Sequence, residues 1–311
     1  MKKIATRDAY GEALKALGAI NNDVVVLDAD LSKSTKTAVF AKAFPERFLN
    51  MGIAEQNLVG TAAGLAAAGK IPFASTFAIF ATGRAYEQIR NSVAYPKLNV
   101  KIAASHAGIT VGEDGASHQM LEDLALMRAL PNMTVIVPAD AEETRQAIQV
   151  AAAIRGPVYI RLGRLGVPVL FDDTYKFAVG KAVQVADGCD ATIIATGIMV
   201  GIALEAAQSL QAEGIKTRVI NMATIKPIDR ETIVLAAKET GAIVTAEEHN
   251  IIGGLGSAVA EVLVETVPVP MMRIGVQDTF GESGTPNALL QKYGLTAENI
   301  AAAVRAVIAR K

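Results

Sequence analysis

The feature that most constrains the fold of this chain is a regular alternation of short apolar runs with helical patterns. Runs such as 24–27 and 158–160 are apolar, mostly β-branched or aromatic, and have no polar face. Strands of this kind are covered on both sides, as in parallel sheets wound by helices. The alternation therefore predicts an α/β protein with two doubly wound domains and largely parallel sheets.

The alternation has two blocks. In the first block we predict strands at 24–27, 71–75, 100–105, 134–137 and 158–160, and helices at 7–17 with Thr6 as N-cap, 54–68, 85–94 and 141–154. In the second block we predict strands at 192–195, 217–220, 242–246 and 271–274, and helices at 201–212, 230–240, 257–265 and 298–308. Between them the pattern fades into Gly, Pro and Asp, which is typical of a connector. We therefore predict a first domain at residues 1–170, a linker at 171–188 and a second domain at 189–311.

Charge and composition exclude several classes of protein. The 30 basic and 31 acidic residues leave a net charge of −1, so we expect neither nucleic-acid nor membrane-surface binding. The longest uncharged runs, 56–69 and 191–204, are shorter than the ~20 residues of a membrane helix. The single Cys189 cannot form an internal disulfide, and we expect it to be a small filler. Because Arg7 and Asp8 also interrupt any export signal, we predict a cytoplasmic protein.

Ligands of open α/β sheets bind beyond the carboxyl ends of the strands, so the loops at those positions are the candidate sites. Polar or aromatic side chains are concentrated in four segments: Asp28–Ser34, Met51–Asn57, Ser75–Phe80 and Ser105–Gln119. For the first of these, a helix-capping turn is an equally simple explanation.

Glu55 stands at the head of a helix that has hardly any polar face. An acid in the first turn can simply complement the helix dipole. Its apolar neighbours, however, indicate that the carboxyl is buried and has a partner. Phe77 and Phe80 follow the next strand, where they could be core residues or could stack on a planar ligand.

The segment 105–119 contains two of the three histidines, His106 and His118, with Asp114 between them. Twelve residues separate the histidines and no second ligand is close, so a compact zinc motif is not present. Acid–base work and contacts to sugar hydroxyls fit this set better. Arg164 and Arg7 could be surface charges or could together bind a phosphate.

Taken together, these segments resemble the transketolase family. The motifs that carry the resemblance are Asp30-Leu31-x-x-Ser34, Gly52-Ile53-Ala54-Glu55-Gln56, Ser75-Thr76-Phe77-x-x-Phe80, His106 and Gly112-Glu113-Asp114-Gly115-x-x-His118-Gln119. Glu247-Glu248-His249 and Phe280-Gly281-Glu282-Ser283-Gly284 are similar to the family's carboxyl-terminal domain. The resemblance implies a pyrimidine-binding domain followed by a C-terminal domain.

The resemblance also implies a partner. Transketolases bind thiamine diphosphate and a divalent cation, Mg²⁺ or another, through a further domain with a Gly-Asp-Gly motif. That motif does not occur in this sequence. We therefore expect the carboxyl-terminal subunit of a split transketolase, without metal ligands of its own. It would be active only with an amino-terminal subunit, in an α2β2 tetramer.

Site roles follow from the family residue by residue. Glu55 would bond the pyrimidine of the cofactor, Phe80 would stack on it with Phe77 alongside, and Asp30 would lie close by. His106 and His118 would contact substrate oxygens and assist proton transfer, and Asp114 would contact a sugar hydroxyl. Arg7, Ser34 and Arg164 would hold the sugar phosphate. Where some relatives have a further aromatic residue, this chain has Gly83, which weakens that side of the pyrimidine pocket.

Three alternatives remain at this point. One is the β subunit of a 2-oxoacid dehydrogenase E1, which is also a separate chain with an activating glutamate. A second is an enzyme similar to 1-deoxyxylulose-5-phosphate synthase, favoured by Arg84-Ala85-Tyr86-Glu87-Gln88. The third is a noncatalytic regulatory subunit.

Overall fold

The computed structural model describes residues 2–311, and the predicted start of the first domain at Met1 lies outside them. Fourteen strands occur in this range. They are β1 (Lys3–Ala5), β2 (Val24–Asp28), β3 (Phe48–Asn50), β4 (Ile71–Phe77), β5 (Lys101–Ser105), β6 (Thr134–Ile136), β7 (Val158–Arg161), β8 (Gly166–Pro168), β9 (Val183–Ala186), β10 (Ala191–Ala195), β11 (Thr217–Asn221), β12 (Thr224–Lys226), β13 (Ile243–Asn250) and β14 (Met271–Val276).

Helices cover and connect these strands. They are α1 (Thr6–Ile20), α2 (Ser32–Thr35), α3 (Ala38–Ala43), α4 (Glu55–Ala67), α5 (Tyr86–Gln88), α6 (Asp123–Ala129), α7 (Ala141–Ala153), α8 (Met199–Ala212), α9 (Arg230–Thr240), α10 (Leu255–Glu265), α11 (Pro286–Lys292) and α12 (Ala297–Ile308). Each residue of β2, β5, β7 and β10 is buried, which explains why these strands are mostly apolar.

Two large sheets organise the molecule. The first has the order β12-β6-β7-β5-β4-β2-β3 and the second the order β14-β13-β10-β11-β9. Neighbouring strands are parallel except for β12 and β9, which run antiparallel at one edge of each sheet. The predicted class, α/β with two largely parallel sheets, is confirmed. Strand β12 comes from beyond the linker yet completes the first sheet.

The local predictions need four corrections. Thr6 lies inside α1, and its hydroxyl accepts a hydrogen bond from Gly163 N at 2.7 Å. The helix predicted at 85–94 is largely π-helical, because its backbone hydrogen bonds join residues that are five apart, such as Tyr95 N and Arg90 O. The linker segment that we assigned to 171–188 contains β9, an edge strand of the second sheet. Cys189 is exposed in the turn before β10 and is not a buried filler.

Buried polar groups join the two domains. We call Asp123, Glu143, Arg161, Asn221 and Glu248 the interdomain seam; each is at most 6% exposed. Arg161 Nε bonds Asp123 Oδ2 at 2.7 Å, and its Nη2 donates to Glu248 O at 2.9 Å. Asn221 Nδ2 donates to Glu143 Oε1 at 2.8 Å. These bonds satisfy polar groups that burial would otherwise penalise.

None of the helices within the described residues is long and apolar enough to cross a membrane.

Candidate functional site

The carboxyl ends of β2, β4 and β5 lie side by side, because these strands are parallel and adjacent in the first sheet. The segments after these strands therefore meet at one edge, beside the start of α4. We call this edge the strand-end rim and define it by Glu55, Phe77, Phe80, His106 and His118. It brings together residues from three of the four segments predicted from the sequence.

Four rings pack together at the rim. Phe77, at the end of β4, stacks on His106 with 3.7 Å between ring centroids, and on Phe80 at 5.9 Å. The His118 ring meets Phe80 edge-on at 5.5 Å. Phe80 is partly exposed and begins a π-helical turn, Phe80–Arg84, a distortion that is frequent at functional sites. The rim thus presents part of an aromatic surface.

Glu55 is the first residue of α4 and is only 2% exposed. Its Oε2 accepts a hydrogen bond from Arg84 Nη1 at 2.8 Å. The same guanidinium lies over Phe80, 4.6 Å from the ring centroid, and the Arg84 side chain is half exposed. Within residues 2–311, no other hydrogen bond reaches the Glu55 carboxylate. A buried carboxylate therefore lies next to the aromatic surface.

His106 has the left-handed backbone angle φ 57° and is buried. Its Nε2 lies 3.0 Å from Arg7 Nη1 and its Nδ1 lies 2.8 Å from Ser105 Oγ. Arginine only donates, so we assign Nε2 as the acceptor and place the ring proton on Nδ1, which donates to Ser105. Burial, reinforced by Arg7 and Arg164, lowers the pKa of His106 to about 3. His106 is therefore a neutral ring at physiological pH.

Two guanidinium groups lie near His106. Arg7 Nη1 donates to Ser34 O at 3.0 Å, while its buried Nε has no partner in the described part of the chain. Burial lowers the pKa of Arg7, and the charge of Arg164 contributes to the lowering. Arg164 Nη1 bonds Glu113 Oε2 at 2.9 Å and also donates to Val111 O. Two neighbouring cations with donors to spare make a suitable environment for an anion.

The acidic residues of the predicted site are placed differently. Asp30 is exposed and accepts from Asn50 Nδ2 at 3.0 Å. Asp28, in the same segment, is buried and accepts from Thr35 Oγ1 at 2.6 Å, so it shapes the turn. Asp114 is exposed between the two histidines. Among residues 2–311, no hydrogen bond connects Asp30 or Asp114 to the rings or guanidiniums of the rim.

Two residues of the site were not assigned from the sequence. Arg84 is the first charged residue after Lys70, and this isolation within an apolar stretch could have marked it. Gln119 is buried and donates through Nε2 to Ile109 O at 3.3 Å and Gly112 O at 3.2 Å. It thereby closes the segment that carries both histidines.

The chemistry of the rim suits one kind of ligand. A partly exposed aromatic face beside a buried carboxylate fits a heteroaromatic ring with a basic nitrogen. The unpartnered Arg7 Nε and the nearby Arg164 fit an anionic group on a second molecule. Over the range 2–311, no group of three or more His, Cys, Asp or Glu side chains is arranged to hold a metal ion.

Comparison with known families covers most of the chain. Residues 2–168 match the family described as "Transketolase, pyrimidine binding domain", and residues 180–300 match "Transketolase, C-terminal domain". The resemblance carried by the sequence motifs is therefore confirmed.

Individual relatives agree with these matches. The chain is 55% identical to a "Putative transketolase C-terminal section" of Methanocaldococcus jannaschii, over 95% of this chain and 93% of the relative. It is 45% identical to a "6-deoxy-6-sulfo-D-fructose transketolase subunit" of a Clostridium species, over 98% and 95% of the two chains. A solved structure described as "Split gene transketolase, inactive beta4 tetramer" has a TM-score of 0.93 and 65% identity, and the match covers 98% and 99% of the two chains.

Proposed function

The chain belongs to the transketolase family, and on that premise we propose that it is the carboxyl-terminal subunit of a split transketolase. With a separate amino-terminal subunit, it transfers a two-carbon ketol unit between phosphorylated sugars. The observation that carries this proposal is Glu55, a buried carboxylate at the start of α4 that is linked through Arg84 to the face of Phe80.

Thiamine diphosphate, when bound, supplies the electron sink for breaking the carbon–carbon bond next to a ketose carbonyl. Phe80, packed on Phe77, would hold its pyrimidine ring by stacking. Glu55 would share a proton with a ring nitrogen, because one carboxylate oxygen remains available beside the Arg84 bond. Burial keeps water from competing for that carboxylate, which strengthens the hydrogen bond. Asp30, at the exposed end of its segment, would lie near the cofactor.

We give the two histidines different tasks. His118 is half-buried and keeps Nδ1 3.0 Å from Ser117 Oγ, so its ring is oriented and accessible. It would move protons to and from the sugar oxygens. His106 would instead act as a neutral ring, since its pKa is about 3, and its Nε2 would accept a substrate hydroxyl in place of the Arg7 guanidinium. Asp114 would bind a sugar hydroxyl.

The phosphate end of the sugar would lie at Arg7, Ser34 and Arg164. Arg7 contacts both Ser34 and His106, so these groups form one polar corner of the rim. Forked guanidinium donors bind phosphate oxygens in pairs, which gives orientation as well as charge. We expect Arg164 to exchange its bond to Glu113 for the stronger charge of a phosphate.

The partner would hold the diphosphate and its Mg²⁺ or other divalent cation. A cofactor divided between two chains lies at their interface, and we propose an α2β2 assembly. The similarity to a protein described as an inactive beta4 tetramer supports self-association of this chain in the absence of its partner. The lone Cys189 is compatible with the cytoplasm, which we propose as the location.

The test is ketol transfer from xylulose 5-phosphate to ribose 5-phosphate, with thiamine diphosphate and Mg²⁺. The chain is assayed alone and mixed with a candidate partner that contains Gly-Asp-Gly, and assembly is followed by analytical ultracentrifugation. Activity in the α2β2 mixture and not in the chain alone supports the proposal. Activity of the chain alone overturns the division of the site.

Donor choice separates the alternatives. An assembled complex that acts on pyruvate and on no ketose phosphate would favour a 2-oxoacid or deoxyxylulose enzyme and overturn the proposal. A sulfonated ketose belongs in the same panel, because one relative carries that substrate in its name. Turnover of the sulfonated sugar with no turnover of the phosphorylated ones would reject a phosphate as the anion bound by Arg7 and Arg164.

A further inference from the structure

The segment 106–119, which we call the substrate loop, carries three proposed substrate residues, His106, Asp114 and His118. Apart from a 3₁₀ turn at Ile109–Val111 and a single β-bridge between Ala107 and Met120, it has no regular secondary structure. Its backbone takes left-handed angles at four positions, including Gly108 at φ 83°. A loop of this kind depends on outside contacts for a single shape.

Glu248 of the second domain makes one of these contacts. It lies in β13, is 4% exposed, and accepts a hydrogen bond from Thr110 N at 2.7 Å through Oε1. A Cβ atom added to Gly108 would come within 2.2 Å of the Glu248 carboxyl, so the loop backbone runs directly against it. Arg161 fixes the strand from the other side by donating to Glu248 O at 2.9 Å.

A second contact holds the far end of the loop. Gln119 Nε2 donates to Glu282 O, in the second domain, at 2.8 Å. A Cβ atom added to Gly115 would lie 2.5 Å from Ser283 Oγ, so this part of the loop also rests on the second domain. The second domain therefore supports the loop close to both histidines.

A buried carboxylate is unfavourable unless hydrogen bonds and charges compensate for its lost hydration. Burial raises the pKa of Glu248, while Arg161 and the bond from Thr110 oppose that rise. An apolar side chain of similar size would fill the same space without this penalty. It would not accept the Thr110 amide, so the hydrogen bond that joins Glu248 to the substrate loop would be lost.

We propose that Glu248 is a positioning residue that holds the substrate loop, through Thr110, in the geometry that substrate binding needs. The second domain then takes part in substrate recognition and is more than a packing element. This inference rests on the proposed function for the kinetic effect, but the loop-holding role can be measured without turnover.

Glu247 provides a matched control. It is the preceding residue of β13 and is fully buried. Its two oxygens accept from Leu255 N at 2.6 Å and Gly256 N at 2.8 Å, at the start of α10. The two glutamates share residue type, strand and burial. They differ in that Glu247 holds its own domain and Glu248 holds the loop of the other domain.

The first experiment is hydrogen exchange of the full chain, read by mass spectrometry. In Glu248→Ala we expect peptides covering 106–119 to exchange about 10-fold faster or more, because the Thr110 amide loses its acceptor. In Glu247→Ala we expect faster exchange at 253–258 and an unchanged rate at 106–119. Equal effects of both variants on the substrate loop would overturn the proposal.

The second experiment is kinetic and uses the assembled complex. For Glu248→Ala we expect KM for the phosphorylated sugars to rise about 10-fold and kcat to fall less, because the groups that bind the substrate are displaced. Glu248→Gln keeps an acceptor oxygen and should restore most of the loss, whereas Glu247→Gln should not change KM. Should Glu248→Ala not fold, Glu248→Asp retracts the carboxylate by one methylene and replaces it in both experiments.

The outcomes separate the two proposals. A wild-type complex without ketol transfer contradicts the proposed function, and the exchange data still decide whether Glu248 holds the loop. An active wild-type complex in which the Glu248 and Glu247 variants have the same KM contradicts the positioning role alone.

Discussion

The two parallel sheets of this chain end in contrasting surroundings. Beyond β4 and β5, the side chains of Phe80 and His118 remain partly exposed at the strand-end rim. At the end of β11 and near the end of β13, Asn221 and Glu248 are buried, because the first domain packs against them.

This difference shows that the carboxyl-terminal edge of a parallel sheet can either remain open to a ligand or pack against another domain. Open α/β sheets bind ligands beyond the carboxyl ends of their strands. In the second sheet, groups of the first domain occupy that place, as where Glu143 accepts from Asn221. We therefore expect substitutions at the rim to change activity with little effect on stability. Substitutions of Asp123, Glu143 and Asn221 in the interdomain seam should change stability first, whereas those of Glu248 should also act on the substrate loop.

The largest effect expected at the rim comes from Glu55→Ala. Ketol transfer by the assembled complex should fall by at least about 1,000-fold, because the carboxylate that we propose to activate the cofactor ring is lost. The melting temperature of the chain alone should stay close to wild type, since Arg84 is half exposed and can be hydrated. The exposed Glu205→Ala is the control. Activity above a tenth of wild type would remove Glu55 from the mechanism.

The largest effect expected in the seam comes from Asp123→Ala. Asp123 accepts from Arg161 Nε at 2.7 Å and from Tyr159 OH at 2.6 Å, and its removal deprives the buried guanidinium of its hydrogen-bonded carboxylate. We expect a loss of about 4 kcal/mol in the free energy of unfolding, measured by urea denaturation. Glu213→Ala breaks an exposed pair with Arg305 and should scarcely move the midpoint. Equal midpoints would show that the buried Asp123–Arg161 pair does not stabilise the fold.

The free energy of unfolding should also depend on pH through Glu143, which lies in the interdomain seam. Burial raises the pKa of Glu143 from 4.5 to about 7, so the folded chain keeps a proton that the unfolded chain releases. The free energy of unfolding should therefore fall as the pH rises from 4.5 to 7, by roughly 3 kcal/mol, and then level off.

This dependence is measured as the difference between wild type and Glu143→Gln in urea midpoints from pH 4 to 8. Other titrating groups are common to both proteins, so the difference isolates Glu143. A difference that stays constant over this range would show that the Glu143 carboxyl is not held protonated by the fold.

The smallest expected effect comes from Arg164, at the polar corner of the rim where we place the sugar phosphate. Arg164→Ala should raise KM for phosphorylated sugars about 10-fold, since one of two guanidiniums is lost. Stability should not change, because Arg164 pairs with the exposed Glu113. Arg155→Ala removes an exposed arginine elsewhere and serves as the control. Unchanged KM in Arg164→Ala would exclude Arg164 from the anion site.

Much of the fold could be predicted from the sequence because its strands are short apolar runs. The predicted strand 24–27 is buried throughout, and its apolar sequence alone indicates this. Thr224–Lys226 could not be predicted in the same way. Three residues carry no periodicity, and they form a strand because the first sheet offers β6 as a partner. Threonine is a residue type typical of helix N-caps, but the hydroxyl of Thr6 accepts a hydrogen bond from Gly163 N instead of capping the helix.

The same reasoning applies to the site. Glu55 could be identified because a lone carboxylate stands out on an uncharged helix. The different roles of His106 and His118 could not, because they follow from burial and from the bond to Arg7. Glu248 is one acidic residue among many in the sequence. Its contact with Thr110 joins residues far apart in the chain and exists only after the domains have packed.

Strand β12 also determines how this protein can be recombined. A cut in the linker would separate Thr224–Lys226 from β6 and leave an unpaired strand edge, which is a template for aggregation. The first sheet is therefore complete only when both domains belong to one chain. A chimera built from two relatives must take β6 and β12 from the same parent, even where its junction follows the domain boundary.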